Sequence, residues 1–212
     1  MNHLQDILKK IFPFNYSVVS DDSDESLKAF KKLLSFKVYK YKSSLELNGW
    51  VIPKKFKVKK STIKLKDEVL FNGLDHPMAT ILYSSSFKGT VSYKELKKHV
   101  FSSDANPDSY VYHWLSLYRP NFSDWGFCIP KNIFKRFDKK EYYDIEIETV
   151  MKPHHMNVLE HSVNGTIKET LILNAHNCHP FQANDDMSGC AIGIKVMQEL
   201  QKRKTNKSYK LL

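Results

Sequence analysis

The 212-residue sequence predicts an α/β protein whose sheet-forming parts are interrupted by a β-rich middle. Two observations carry this. Residues 169–202 read as an apolar strand, a polar loop and an apolar helix, the order of a β-loop-α unit in an open sheet. From about residue 45 to 142 the texture changes: short strand-like pieces alternate with turn signals at Asn48-Gly49, Asn72-Gly73 and Lys88-Gly89. The expected division is residues 1–44 with 143–212 as the α/β domain, and 45–142 as the insert.

The elements follow in order. Leu4, Ile7, Leu8 and Ile11 share one face of a short helix over 4–11. The polar break at 20–26 offers Ser23 or Asp24 as the cap of a second helix, which carries Leu27, Phe30, Leu33 and Leu34 at helical spacing. Residues 36–42 alternate Phe36, Val38, Tyr39 and Tyr41 with lysines, as a strand does. Within the middle, 49–52 and 61–65 are strand-like. Ser92 is placed to cap a helix within 92–99, with Glu95 completing a capping box. The aromatics Tyr110, Tyr112, Trp114, Tyr118, Phe122, Trp125 and Phe127 are expected to hold a loop-rich region together, rather than to stack on sugars or bases. Residues 143–150 alternate as a half-exposed strand, and 157–164 form another that turns at Asn164-Gly165. Leu171, Ile172 and Leu173 form the continuous apolar run of a central strand. The helix over 189–202 is apolar around nearly its whole girth, which predicts deep burial. Residues 208–212 open a further strand, so the sequence reads as a portion of a longer chain.

Composition narrows the function. The net charge of +10 comes mostly from lysine. Those lysines are dispersed, and no arginine cluster or nucleic-acid motif accompanies them, so a solvated basic surface is the expectation. Charge alone supports the rival of a basic nucleic-acid-binding module. Cys128, Cys178 and Cys190 are odd in number and widely spaced, which points to a reducing compartment, by default the cytoplasm. No apolar run approaches membrane-spanning length. Walker A, dinucleotide-binding and Gly-x-Ser-x-Gly signatures are absent from the sequence.

The chemistry concentrates after the 169–175 strand. His176 closes that strand, His179 lies three residues on, and Asn184, Asp185 and Asp186 lead into the helix. Imidazole nitrogen and carboxylate oxygen are zinc donors, and the carboxyl end of a strand is where open sheets keep their sites. The same residues also serve a plainer purpose, with Asp185 or Asp186 capping the helix and His179 in a turn before Pro180. His154 and His155 are adjacent on a strand and so point to opposite faces, which argues against joint chelation.

The run His176, Asn177, Cys178, His179, Pro180, followed by Asn184, Asp185, Asp186, Met187, Ser188 and Gly189, resembles the metal loop of the M28-type zinc-aminopeptidase-like superfamily. Within it, the chain is similar to a bacterial group labelled DUF4910/DUF2172, "polysaccharide biosynthesis protein with aminopeptidase-like domain". The run Leu47-Asn48-Gly49-Trp50-Val51-Ile52-Pro53-Lys54 resembles that group's NGWxVPKxW segment, and Trp125-Gly126-Phe127-Cys128 its WGFC element. Residues 17–26 resemble its N-terminal stretch, so the likeness spans almost the whole chain.

The resemblance implies an aminopeptidase-like αβα sheet, incomplete here, interrupted by a β-rich insert. It implies one or two Zn²⁺ ions, with His179 and Asp185 as ligands and His176 as a third. The superfamily pattern His-x-Asp would fall on His176 but meets Cys178, read as a buried spacer; the group's Cys-His-Pro element favours His179. The general base is expected beyond Leu212, so no catalytic residue is assigned and the chain alone would be inactive. The implied substrate is a peptide or a small aminoacyl molecule, with no membrane, no specific nucleic acid and self-association left open. The rival within the resemblance is a non-catalytic metal- or ligand-binding relative in surface-polysaccharide biosynthesis.

Overall fold

A computed structural model describes residues 4–113 and 123–212. Trp114, Tyr118 and Phe122 of the aromatic series lie outside the described residues. In chain order the elements are α1 (Leu4–Ile11), α2 (Asp21–Leu33), β1 (Lys37–Lys42), β2 (Glu46–Leu47), β3 (Trp50–Val51), β4 (Lys55–Leu65), β5 (Glu68–Asn72) and β6 (Phe87–Ser92). Then follow α3 (Tyr93–Leu96), β7 (Val100–Phe101), β8 (Phe127–Cys128), α4 (Lys131–Phe134), β9 (Tyr142–Lys152), β10 (His155–Val163), β11 (Thr170–Leu173), α5 (Met187–Leu200) and β12 (Ser208–Leu211). They form two compact units, Met1–Leu45 with Pro153–Leu212, and Glu46–Lys152.

The first unit is built on a mixed sheet of order β1-β10-β12-β11. Its first two pairings are antiparallel, and β11 runs parallel to β12, with α5 as the crossover between them. Helix α5 buries Met187, Cys190, Ala191, Ile194 and Met197 in a core shared with Ile7, Ile11, Tyr16, Phe30 and Leu211. A methyl group at Gly193 would stand 2.6 Å from Leu211 Cδ1 and force that side chain to move, so glycine eases the close approach of α5 to β12. The Tyr16 hydroxyl donates to the Ile11 carbonyl at 2.5 Å, and burial pushes its phenol well above the ordinary range. Ser43 closes the unit: its N–H and its hydroxyl both donate to the His154 carbonyl, at 2.8 and 2.9 Å.

Two expectations for this unit are corrected. β11 is an edge strand, with Leu171 and Ile172 exposed. Its continuous apolar run signals two apolar faces, but among the described residues only β12 pairs with it. Helix α5 is buried on one side only, since Ile192 and Val196 are exposed on the other.

The cap of α2 is Ser20, three residues before Ser23, whose N–H it accepts at 3.0 Å. Asp21, Asp22 and Asp24 then occupy the first turn and Lys31 and Lys32 the last, a charge order that complements the helix dipole. Ser20→Ala should lower stability by about 1 kcal/mol, the usual worth of such a cap. Urea denaturation followed by circular dichroism would read the shift, and an unchanged midpoint would show that Ser23 caps the helix instead.

The second unit is an antiparallel sheet of order β5-β4-β9-β6, in which β4 and β9 pair along most of their length. The alternation of Tyr143, Ile145 and Ile147 sends these side chains into a core with Ile63, Phe71, Leu96, Trp125, Phe127 and Phe134. Because β9 pairs with β4 and β6, residues 143–152 lie in this unit and not with the flanking α/β parts. The Asn48-Gly49 turn joins β2 to β3 with both residues at positive φ (52° and 79°), the mirror-image turn that matches strand twist. Ser92 caps α3 by accepting from the Glu95 N–H at 3.3 Å.

Candidate metal centre

Strand β11 delivers the chain to the carboxyl edge of the sheet, and the parallel pairing continues one step past it, with the Ala175 N–H donating to the Leu212 carbonyl at 3.0 Å. The chain then leaves the sheet as the loop 174–186. Pro180 and Phe181 turn it, Phe181 taking a left-handed φ of 55°. The loop is closed from within. Gln182 is buried, and its side-chain carbonyl accepts from the Asp186 N–H at 3.3 Å. The Ser188 N–H donates to the Ala183 carbonyl at 2.8 Å, and the Cys190 N–H donates to the Asp186 carbonyl at 3.0 Å as α5 begins. A side chain at Gly189 would require the Asp186 carboxylate to turn aside, since a methyl group there would stand 2.1 Å from its Oδ1. The Asp185–Asp186 peptide bond is cis.

This folding brings the three expected metal residues to one carboxylate. His176 Nε2 lies 3.0 Å from Asp185 Oδ1, and His179 Nε2 lies 3.9 Å from Asp185 Oδ2. The Asp185 side chain is 72% exposed and that of His179 only 16%, so an open acid faces a sheltered imidazole. His179 Nδ1 donates to the Pro180 carbonyl at 3.0 Å. In the neutral ring that bond leaves the lone pair on Nε2, the nitrogen turned toward Asp185. Cys178 Sγ lies 3.3 Å from His176 Nδ1. Burial, then the negative charge of Asp185, raises the Cys178 thiol above its ordinary range. Burial and Asp186 push Cys190 up to about 12. Both sulfurs are therefore thiols at neutral pH.

Two imidazoles and one carboxylate are the donor set of open, catalytic zinc sites. The residues fit the ion in kind. Their present spacing is wider than a closed cage, and no group of three or more His, Cys, Asp or Glu among the described residues is drawn together around one point.

Two other histidines of the first unit are held elsewhere. His154 Nε2 lies 2.8 Å from Asp24 Oδ2, in the first turn of α2, and Asn157 donates to the other oxygen at 3.0 Å. His161 is buried, with Nδ1 donating to the Ser35 carbonyl at 3.0 Å and Nε2 within 2.9 Å of the Gln201 amide. Sequence reasoning missed Gln182, the pairing of Asp24 with His154 and the contact of Cys178 with His176. Cys178 was detectable as the departure from His-x-Asp; the other two carry no local signal.

The chain matches the family described as a domain of unknown function, DUF4910, over residues 5–212. It is 24% identical over 210 residues to a Clostridium acetobutylicum protein named "Putative polysaccharide biosynthesis protein with aminopeptidase-like domain", covering 99% of this chain and 47% of that one. Among solved structures, one described as a "putative peptidase" from Clostridium acetobutylicum superposes with a TM-score of 0.82 at 23% identity, over 98% of this chain and 48% of that one. A zinc aminopeptidase from Bacillus subtilis gives a TM-score of 0.64 at 10% identity, over 99% of this chain and 60% of that one. The fold is therefore aminopeptidase-like, and the chain spans about half the length of the Clostridium relatives it matches.

Proposed function

The chain belongs to the DUF4910 family, and from that premise we propose that it carries the metal loop of a zinc-dependent, aminopeptidase-like hydrolase. The observation that supports this reading is the convergence of His176 and His179, through Nε2, on the two oxygens of Asp185. His179 and Asp185 would hold the ion, with His176 as the third ligand. Zinc bound there would supply a polarised carbonyl and a water of pKa about 7. The chain's own part is to hold and orient: Pro180 fixes the tautomer of His179, and Gln182 fixes the backbone of Asp186. The substrate class is a peptide or a small aminoacyl compound, in keeping with the named aminopeptidases of the same fold. No residue of this loop is assigned as the base for proton transfer. Three free cysteines favour a reducing, cytoplasmic setting. Among the described residues no helix is long and apolar enough to cross a membrane.

A second reading, metal or ligand binding without hydrolysis in surface-polysaccharide biosynthesis, is favoured by Cys178, which stands where the superfamily pattern has an acid.

Zinc titration of the purified chain at neutral pH tests the proposal. The wild type should bind about one ion, and His179→Ala should bind at least about tenfold more weakly while keeping its circular dichroism, since the residue lies in a loop. Equal affinity in the two proteins would remove His179 as a ligand, and a wild type that takes up no zinc would remove the metal reading.

A further inference from the structure

The outward face of the second unit changes character along β4 and β9. Over the body of the sheet, cross-strand neighbours balance charge. Lys60 lies opposite Glu148 and Lys64 opposite Asp144, while Glu146 meets Lys60 Nζ at 2.6 Å and Lys88 Nζ at 3.4 Å. β5 pairs with β4 only over Thr62–Leu65, and β6 pairs with β9 only over Tyr142–Ile147. Among the described residues, 55–60 and 148–152 therefore continue as a two-stranded ribbon. There the balance ends. Lys57 lies opposite Val150 and Lys55 opposite Lys152, and the register shift between Val58 and Lys60 adds Lys59. Lys57, Lys59 and Lys152 are exposed, as is Lys54 just before the strand. We infer that this ribbon is a docking surface for an anionic lipid bilayer, met through Lys54, Lys55, Lys57, Lys59 and Lys152.

Like charges directly opposite each other on a sheet are destabilising. The Lys55–Lys152 pair works against the fold, and a layer of negative charge laid across the ribbon turns that repulsion into attraction. The platform is stiff. The Phe56 ring lies against Tyr83 with centroids 5.1 Å apart, and the Tyr83 hydroxyl donates to the Lys54 carbonyl at 2.9 Å. On the other strand the Thr149 N–H donates to Ser86 Oγ at 3.0 Å. The chemistry of the face selects among polyanions. Lysine is a compact point charge that needs no fixed partner geometry, whereas arginine forks suit bidentate phosphate recognition and aromatic rings suit stacking on bases. The outward pairs of the ribbon hold lysines and Val150, with neither arginine nor an aromatic ring. Lysines two apart on a strand stand about 7 Å from each other, so several reach one plane of headgroups together. Clusters of about four to eight basic residues bind anionic leaflets, each lysine near the surface contributing about fivefold in partitioning. Such a contact lies on the membrane and requires no spanning helix.

The experiment is co-sedimentation of the purified chain, at low salt, with phosphatidylcholine vesicles containing about a quarter phosphatidylglycerol, beside vesicles of phosphatidylcholine alone. The chain should pellet with the anionic vesicles only, and be released at about 1 M salt, where the screening length falls to about 3 Å. Lys59→Glu with Lys152→Glu should lower the partition coefficient at least about 25-fold. Lys139→Glu with Lys140→Glu changes the net charge by the same amount in the loop before β9, and should lower it less than about threefold. Equal losses in the two double variants would mean that net charge alone draws the chain to the vesicles, and overturn the inference; so would a wild type that ignores anionic vesicles. Lys152→Glu alone separates binding from folding. It sets an acid opposite Lys55, so its urea midpoint should hold or rise while vesicle binding weakens, and wild-type binding in this variant overturns the inference. A fluorescent DNA duplex is the competing polyanion: binding that depends on Lys59 and Lys152, without binding to vesicles, would replace the bilayer by nucleic acid.

Discussion

Replacing Phe127 by alanine should cost the second unit about 3–5 kcal/mol, the range for deleting a buried aromatic ring from a packed core. Phe127 is fully buried. It packs edge-on to Phe71, with ring centroids 5.9 Å apart, and edge-on to Trp125 at 6.4 Å. Its backbone is committed too: it pairs with Val100 across the short β7–β8 ladder and bridges to Thr80. The cavity left by the ring could not collapse without breaking these pairings. A domain of ordinary stability holds about 5–15 kcal/mol in total, so this one change would remove a large share. Phe12, which is exposed, is the control, and Phe12→Ala should stay near the small values typical of surface changes. Urea unfolding followed by near-ultraviolet circular dichroism separates the two. A Phe127→Ala loss below about 1 kcal/mol would mean that the ring does not organise this core.

Asp185→Ala should weaken zinc binding by more than about 100-fold, equivalent to about 2.8 kcal/mol. Its effect should exceed that of either histidine variant, because Asp185 is the group both imidazoles share. Removing it takes away a charged donor and also the acceptor that His176 Nε2 faces. Asp186 supplies the contrast. Its carboxylate lies against Gly189 at the start of α5 rather than between the histidines, so Asp186→Asn should leave most of the affinity intact. Chelator competition on both variants reads the difference. Equal losses would show that the ion sits nearer the helix than proposed, with Asp186 as a ligand.

Much of this was legible in the sequence, and the misses have physical reasons. The helices at 4–11 and 187–200 and the strand at 37–42 follow from local apolar periodicity, which needs only neighbouring residues to be read. The Asn48-Gly49 turn follows from the positive φ that those residues tolerate. Strand neighbours are not local. Tyr142–Lys152 alternates as any half-buried strand does, and nothing in it says that its partners are β4 and β6. Leu171, Ile172, Ile192 and Val196 carry the pattern of buried residues and are nonetheless exposed. Periodicity reports which faces are apolar, not whether a covering layer is present in the chain at hand. At the candidate site, residue type singled out His176, His179 and Asp185 as candidate donors. The contacts of Gln182 with the Asp186 N–H and of Cys178 with His176 depend on distances that only the folded loop creates.

The Ser43–His154 junction bears on the order in which the chain folds. The two residues are separated by 111 positions, yet they meet through paired hydrogen bonds. Closing so long a loop from a disordered chain carries an entropic penalty. The pairing of Lys55 with Lys152 at the open end of β4 and β9 changes that. Once the second unit has formed, those ends are already a strand's width apart, and only short tails remain to be closed. The effective loop shrinks about eightfold, which at about 0.6 kcal/mol per halving lowers the closure penalty by about 2 kcal/mol. Formation of the inserted sheet ahead of the first unit would bring β1 and β10 together and make nucleation of the first unit a nearly local event.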